Sequence, residues 1–162
     1  MSAGALPIRL RPVVASDVPT LFRFQLDPEG NSLAATIARD LDTFNATWAR
    51  ILTDPVTMAQ TIPRAILLGG ELAGVINVFK RDGQDTVGYW IAREHWGKGI
   101  ASRALALLLE EVSIRPLVAR AARHNAASIR VLTRNGFKVT GYQFSPGTER
   151  FVACEWAGFV LE

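Results

Sequence analysis

Two glycines one residue apart, Gly97 and Gly99, stand directly ahead of an Ala- and Leu-rich run that begins at Ile100. The segment Val87-Gly-Tyr-Trp-Ile-Ala-Arg-Glu-His-Trp-Gly-Lys-Gly-Ile-Ala101 reads as a strand ending near Ala92, a loop, and the start of a helix. Neither glycine carries a Cβ, so the backbone N–H groups of the loop can turn inward together. With the unpaired N–H groups of the helix's first turn they make an anion site whose geometry suits a pyrophosphate. The helix dipole adds about 0.3–1 kcal/mol per bound charge. Charge is distributed accordingly: Arg93 to Lys138 holds nine basic and three acidic residues, 9 − 3 = +6, against +3 for the whole chain. Such a local excess suits a polyanion, either nucleic acid or a phosphorylated cofactor, and equally describes a solvated arginine-rich face.

Competing phosphate motifs fail on single residues. A P-loop needs Ser or Thr after its lysine, and Lys98 is followed by Gly99. A dinucleotide fingerprint needs a third glycine where Ser102 stands. Taken alone, Gly-x-Gly also describes a tight turn. The remaining reactive side chains are scattered. Cys154 is the one cysteine, which excludes an intramolecular disulfide and, late in the final strand, reads as core rather than nucleophile. Glu94 and His95 read as solvated loop residues, His124 as a strand-end histidine, and Asp27 and Glu29 as helix-end and turn residues. No general base stands out.

The elements that must position this loop follow from periodicity. With 162 residues, 49% hydrophobic and 20% charged, the chain reads as one globular domain over 1–162. The apolar run Ala104–Leu109 is far too short for a membrane span, and Met1–Pro7 lacks a basic-then-apolar leader, so a cytoplasmic location is expected. Ile8–Arg11 alternates like a strand. Ser16-Asp17 and Pro19 open a helix with Leu21, Phe22 and Leu26 on its apolar face, and Asp27-Pro28-Glu29-Gly30 ends it. Asp42–Leu52 forms a second helix, with Phe44, Trp48 and Ile51 as core. Ile62–Leu68, Leu72–Lys80 and Thr86–Ile91 are strands, turning at Gly69-Gly70 and Arg81-Asp82-Gly83. A helix over Ile100–Val112, a strand over Leu117–Ala122 and a helix over Ala126–Arg134 follow, the last stopped by Asn135-Gly136. Phe137–Phe144 and Arg150–Val160 close the chain as a hairpin around Ser145-Pro146-Gly147. The order βαα-βββ-α-β-α-ββ predicts an α+β fold with a mixed sheet, in which Thr86–Ile91 and Leu117–Ala122 are parallel neighbours. Alternation places Tyr89 and Trp90 on opposite faces of their strand.

The stretches GYWIAREHWGKGIASRAL and RHNAASIRVLTRNGFKVTG, taken together, resemble the GCN5-related N-acetyltransferases (GNAT), and in particular their RimJ/RimL branch. The resemblance spans Ile8 to Val160, with its specific part from Val75 to Gly141. It implies an acyl-CoA N-acyltransferase fold, a mostly antiparallel mixed sheet with flanking helices, and acetyl-CoA as cosubstrate with no metal. It implies that Trp90, Ile91 and Ala92 lie on the strand whose backbone bonds the pantetheine arm. Trp96, Gly97, Lys98, Gly99, Ile100 and Ala101 match the pyrophosphate loop and helix start. Asn125 and Ser128 match the family's Asn-x-x-Ser: Asn125 as the residue that touches the cofactor arm or caps the helix, Ser128 as the catalytic group near the thioester sulfur. Glu94 stands where the wider family often has Gln or Arg. Many members carry a tyrosine acid four residues before the Gly-Phe pair, where this chain has Leu132, so Ser128 is the nearest replacement.

Chemistry then sets the demands. An amine attacks a thioester only when neutral, and at pH 7 that costs about 4.6 kcal/mol for a lysine amine but only about 1–1.4 for an α-amine. A thiolate leaves readily, so an acid contributes modestly. A strand N–H near Ile91 could hold the developing oxyanion, and a water relay from backbone and Tyr89 could take the proton. Arg130 and Arg134, one helical turn apart, read equally as ligands of the nucleotide's phosphate end and as solvated residues. The expected acceptor is a primary amine, on a protein N-terminus or a small molecule, bordered by the loops Asp27–Asp42 and Phe144–Arg150; the chain is a monomer or homodimer. A non-catalytic acyl-CoA-binding module is the alternative. Nucleic acid is not an expected partner, because no binding-fold signature is present and Trp90 and Trp96 do not form stacking platforms.

Overall fold

The computed structural model describes residues 6–162. Seven strands, β1 (Ile8–Pro12), β2 (Ile62–Leu68), β3 (Glu71–Arg81), β4 (Gln84–Ile91), β5 (Leu117–Ala122), β6 (Lys138–Ser145) and β7 (Cys154–Leu161), form one sheet in the order β1-β2-β3-β4-β5-β7-β6. Every neighbouring pair is antiparallel except β4 and β5. The β3–β4 hairpin turns on Asp82 and Gly83 alone, both at positive φ (51° and 77°), the two-residue connection whose twist matches its strands.

Helices cover both faces. Four precede β2: α1 (Val18–Phe24), α2 (Pro28–Ala34), α3 (Leu41–Thr53) and α4 (Pro55–Gln60). The sequence pattern predicts only two there. Asp27-Pro28 starts α2 rather than ending its predecessor, since Asp27 Oδ2 accepts the Gly30 N–H at 2.9 Å and proline opens the helix. Asp54-Pro55 does the same for α4, with Thr57 N–H at 2.9 Å from Asp54 Oδ2. An aspartate cap followed by proline begins a helix as readily as it makes a turn. Two further helices, α5 (Ile100–Glu111) and α6 (Ala126–Arg134), lie in the second half.

Strand alternation separates two cores. Ile66, Ile76 and Val78 point to the face covered by α5 and α6, where Leu105, Leu108 and Leu132 are fully buried. Each such leucine contributes about 1.5–3 kcal/mol by leaving water. Ala65 and Val75 point the other way, against Leu21, Phe44 and Trp48 of α1 and α3. Phe22 meets Phe44 edge-on with centroids 5.4 Å apart, so Phe44 and Trp48 are core. The connection between β6 and β7 is longer than the sequence pattern suggests, because Phe151 bridges to Thr36 and pins this segment beside α2.

Candidate active site

The parallel pair β4/β5 is joined only at Thr86↔Val118, whereas β5 stays paired with β7 from Leu117↔Leu161 to Ala122↔Trp156. Beyond Thr86 the two strands part, and a cleft of about 910 Å³ runs through the gap, reaching both faces of the sheet. Ala92 donates its N–H to the Ala73 carbonyl at 2.8 Å. By antiparallel alternation the peptide groups of Ala92 and Trp90 therefore face β3, while those of Ile91 and Tyr89 face the gap. Of Trp90, Ile91 and Ala92, only Ile91 offers its own main chain to the cleft. Its carbonyl accepts the Trp96 indole N–H at 3.0 Å. Trp90 contributes a side chain instead: its indole N–H donates to the Phe24 carbonyl at 3.0 Å and the ring lies against Gly30.

After Ala92 a single 3₁₀ turn (Arg93–His95) leads to Gly97 and Gly99, at φ 77° and 71°. A Cβ at either would meet nothing within 4 Å, so glycine is required here for its left-handed backbone and not for space. Gly99 is the N-cap of α5, and no side chain caps that end, which leaves the first-turn N–H groups for a ligand. Trp96, Gly97, Gly99, Ile100 and Ala101 line the cleft. The Lys98 side chain lies elsewhere, its ammonium 3.4 Å from His95 Nδ1. Arg130 and Arg134 of α6 line the same cleft, and Asn135 Nδ2 braces α6 to α5 by donating to the Ser102 carbonyl and Oγ at 3.3 Å each.

Between the splayed strands and α6 lies a pair of hydroxyls. Asn125 caps α6, its Oδ1 accepting the Ser128 N–H at 3.2 Å, and this turn presents Ser128 to the cleft. Ser128 Oγ is 2.7 Å from the Tyr89 hydroxyl, which also reaches the Ser128 carbonyl at 3.3 Å. Burial pushes the Tyr89 phenol up to about 12, against the smaller opposing effect of the Ser128 hydrogen bond, so it is a neutral donor at ordinary pH. Leu132 sits fully buried in the core. The phenol comes from β4 instead of α6. Alternation places Tyr89 opposite Trp90 but does not reveal which of them meets α6.

The other reactive side chains are committed to structure. Arg93 pairs with Asp27 at 3.2 Å and with Glu29, and stacks on Trp96 at 5.1 Å. His124 is exposed, its Nε2 2.9 Å from the Ser32 carbonyl. His95 is not a solvated loop residue: it is 7% exposed, and its Nε2 has no hydrogen-bond partner, with Glu71 Oε1 4.0 Å away. The loop folds inward because the 3₁₀ turn directs this ring beneath it. Glu71, Glu94 and His95 bring one ligand atom each within 4.8 Å of one another, with Lys98 as a neighbouring counter-charge. Burial raises the Cys154 thiol against the opposing effect of Arg120, which disfavours the thiolate. Among the described residues no helix is long and apolar enough to cross a membrane.

A family model described as the acetyltransferase (GNAT) domain matches residues 8–138. The chain belongs to the GNAT acetyltransferase family. Comparison with curated proteins gives no significant match. Solved structures share the GNAT fold. RimJ of Mycobacterium smegmatis, in complex with CoA-disulfide, is 24% identical with a TM-score of 0.76, covering 97% of this chain and 82% of its own. RimL, a ribosomal L7/L12 alpha-N-protein acetyltransferase in complex with coenzyme A, is 21% identical with a TM-score of 0.73, covering 95% and 94%. YncA of Salmonella typhimurium, with acetyl-CoA, is 21% identical with a TM-score of 0.73, covering 96% and 93%.

Proposed function

We propose that this GNAT chain transfers the acetyl group of acetyl-CoA to a primary amine by direct attack on the thioester. The observation that carries the reading is the parting of β4 and β5 beyond Thr86, with the Gly97–Gly99 turn at one end and Ser128 beside it. Gly97, Gly99, Ile100 and Ala101 would hold the pyrophosphate on N–H groups at the uncapped end of α5, with Arg130 and Arg134 adding charge. The pantetheine arm would lie along the open edge of β4 as an added strand, bonded by the main chain of Ile91 and Tyr89. RimJ, RimL and YncA bind coenzyme A or acetyl-CoA on this same fold, which supports the assignment.

Acetyl-CoA supplies an activated acyl group with a thiolate leaving group. The Tyr89 N–H also faces the gap, beside Ser128, and is placed to stabilise charge developing on the acyl oxygen. With Tyr89 as the donor in this pair, the Ser128 O–H would be left to donate toward the departing sulfur. With a phenol near 12 the pair works as hydrogen-bond donors rather than as a strong acid. Asp27 and Glu29 are held by the α2 cap and by Arg93, so neither is free to serve as base, and an amine of low pKa is the best acceptor. RimL is named for acetylating a protein N-terminus, and an α-amine fits this requirement.

A thiol-release assay with acetyl-CoA and a panel of amines tests the reading. Amine-dependent release supports transfer. Saturable acetyl-CoA binding without release by any amine would make the chain a binding module.

A further inference from the structure

Four arginines from four separate segments line one part of the cleft: Arg39 ahead of α3, Arg81 at the end of β3, Arg120 in β5 and Arg150 ahead of β7. Their side of the sheet follows from alternation. Arg81 shares the face of Val75, which packs on α1 and α3, and Arg120 opposes Ala119 and Ala121, which pack toward α5 and α6. The glycine turn opens on the α5 side, so the arginines occupy the far mouth of the same cleft.

They crowd around aromatic rings. Phe151 has Arg120 at 4.6 Å, Arg150 at 5.7 Å and Arg81 at 5.8 Å from its centroid, and Arg120 also lies 4.5 Å from Trp156. Four arginines elsewhere in the chain are paired with acids: Arg11 with Asp17, Arg64 with Glu111, Arg93 with Asp27, Arg123 with Glu155. Among the described residues, none of these four makes an ion pair. Burial first, then mutual repulsion, pushes Arg81 and Arg150 down to about 10. The exposed Asp82 opposes the effect of burial at both Arg81 and Arg120 without forming an ion pair with either. Two of the four are nevertheless held in place, Arg39 by its main chain and Arg150 by its side chain. Gln25 is buried and bonds both the N–H (2.8 Å) and the carbonyl (3.0 Å) of Arg39, while Arg150 Nη1 donates to the Ile37 carbonyl at 2.5 Å. Half-buried cations that repel one another and have no ion-pair partner, gathered around Phe151 with Arg150 fixed to the Ile37 carbonyl, form a site completed by an anion.

We propose that the acceptor amine belongs to a molecule carrying an oxyanion, a carboxylate or a phosphate, and that Arg39, Arg81, Arg120 and Arg150 form the subsite that receives it. This rests on the acetyl-transfer reading and narrows it: acceptors without an anionic group, such as free polyamines and unphosphorylated amino sugars, are disfavoured at this mouth.

The test is calorimetry on the full chain with coenzyme A present, using N-acetylated dipeptides as product analogues so that binding is read apart from turnover. The series is four C-terminal amides, in which the side chain carries the only charge: the anionic N-acetyl-Glu-Ala-amide and N-acetyl-phosphoserine-Ala-amide, the neutral N-acetyl-Gln-Ala-amide and the cationic N-acetyl-Lys-Ala-amide. The expected result is that one or both anionic ligands bind about tenfold or more tightly than the neutral one, and the cationic one most weakly. Preference for the phosphoserine or the glutamate compound distinguishes phosphate from carboxylate. Arg120→Gln should erase that preference, leave coenzyme A affinity unchanged, and give a melting temperature no lower than wild type, since a repelled cation is removed. Equal binding across the wild-type series, or no binding of either anion, overturns the proposal whether or not the variant folds. Anion preference without amine-dependent thiol release would leave the subsite standing and sink the acetyl-transfer reading alone.

Discussion

The Tyr89 hydroxyl lies 2.7 Å from Ser128 Oγ, across the space between β4 and the first turn of α6. One tyrosine on a strand thereby meets a serine that Asn125 holds at the third position of a capped helix. If this pair assists the leaving thiolate, Ser128→Ala lowers kcat by about 10- to 100-fold, the low end of acid catalysis because a thiolate leaves readily. Tyr89→Phe should lower it by less, and neither change should move acetyl-CoA affinity by more than about threefold. Steady-state kinetics with calorimetry on both variants checks this; unchanged kcat in Ser128→Ala removes the serine from the mechanism.

The same phenol makes stability depend on alkaline pH. Its folded pKa, about 12, lies above the ordinary 10, because burial penalises the phenolate. The folded state therefore binds this proton more tightly than the unfolded chain does. Its contribution is full below pH 10 and is lost as pH rises through 12. By pH 11 the wild type should lose about 1.4 kcal/mol relative to Tyr89→Phe, compared with pH 8. Denaturant unfolding of the two proteins at both pH values measures the difference directly. Parallel behaviour would mean that the phenol is not desolvated.

Gly30 is fixed by its neighbour. A Cβ there would lie 2.8 Å from Trp90 Cζ2, and the indole cannot swing aside without breaking its bond to the Phe24 carbonyl. Gly30→Ala should destabilise by about 1–3 kcal/mol and shift tryptophan fluorescence. A neutral effect on both would show that α2 does not press on β4.

Asp27 caps α2 and pairs with Arg93, and neither role uses a proton. Asparagine caps as well as aspartate does. Asp27→Asn should therefore leave the pH–rate profile in place and kcat within about twofold, since a surface ion pair contributes little. Loss of the profile's acidic limb would make Asp27 a base.

Much of the fold is legible in the residues. Leu117–Ala122 and Ala126–Arg134 can be bounded to the residue, because Asn125 and Asn135-Gly136 punctuate them chemically. The glycine turn declares itself through Gly97 and Gly99, whose positive φ values are a local property. The extra helices α2 and α4 are concealed because Asp-Pro has the same local chemistry at a turn and at a helix start. The Tyr89–Ser128 contact, the burial of His95 and the arginines around Phe151 depend on segments up to a hundred residues apart. Periodicity carries no information about which distant elements meet, so those parts of the site emerge only from the fold.

Titration of the folded protein with coenzyme A by calorimetry, beside Gly99→Asp, tests the central claim most directly. Saturable one-to-one binding is expected, abolished by an acidic side chain at the left-handed cap of α5 while unfolding remains cooperative. A flat isotherm for the wild type, or equal affinity in Gly99→Asp, would contradict the assignment of this turn to the pyrophosphate.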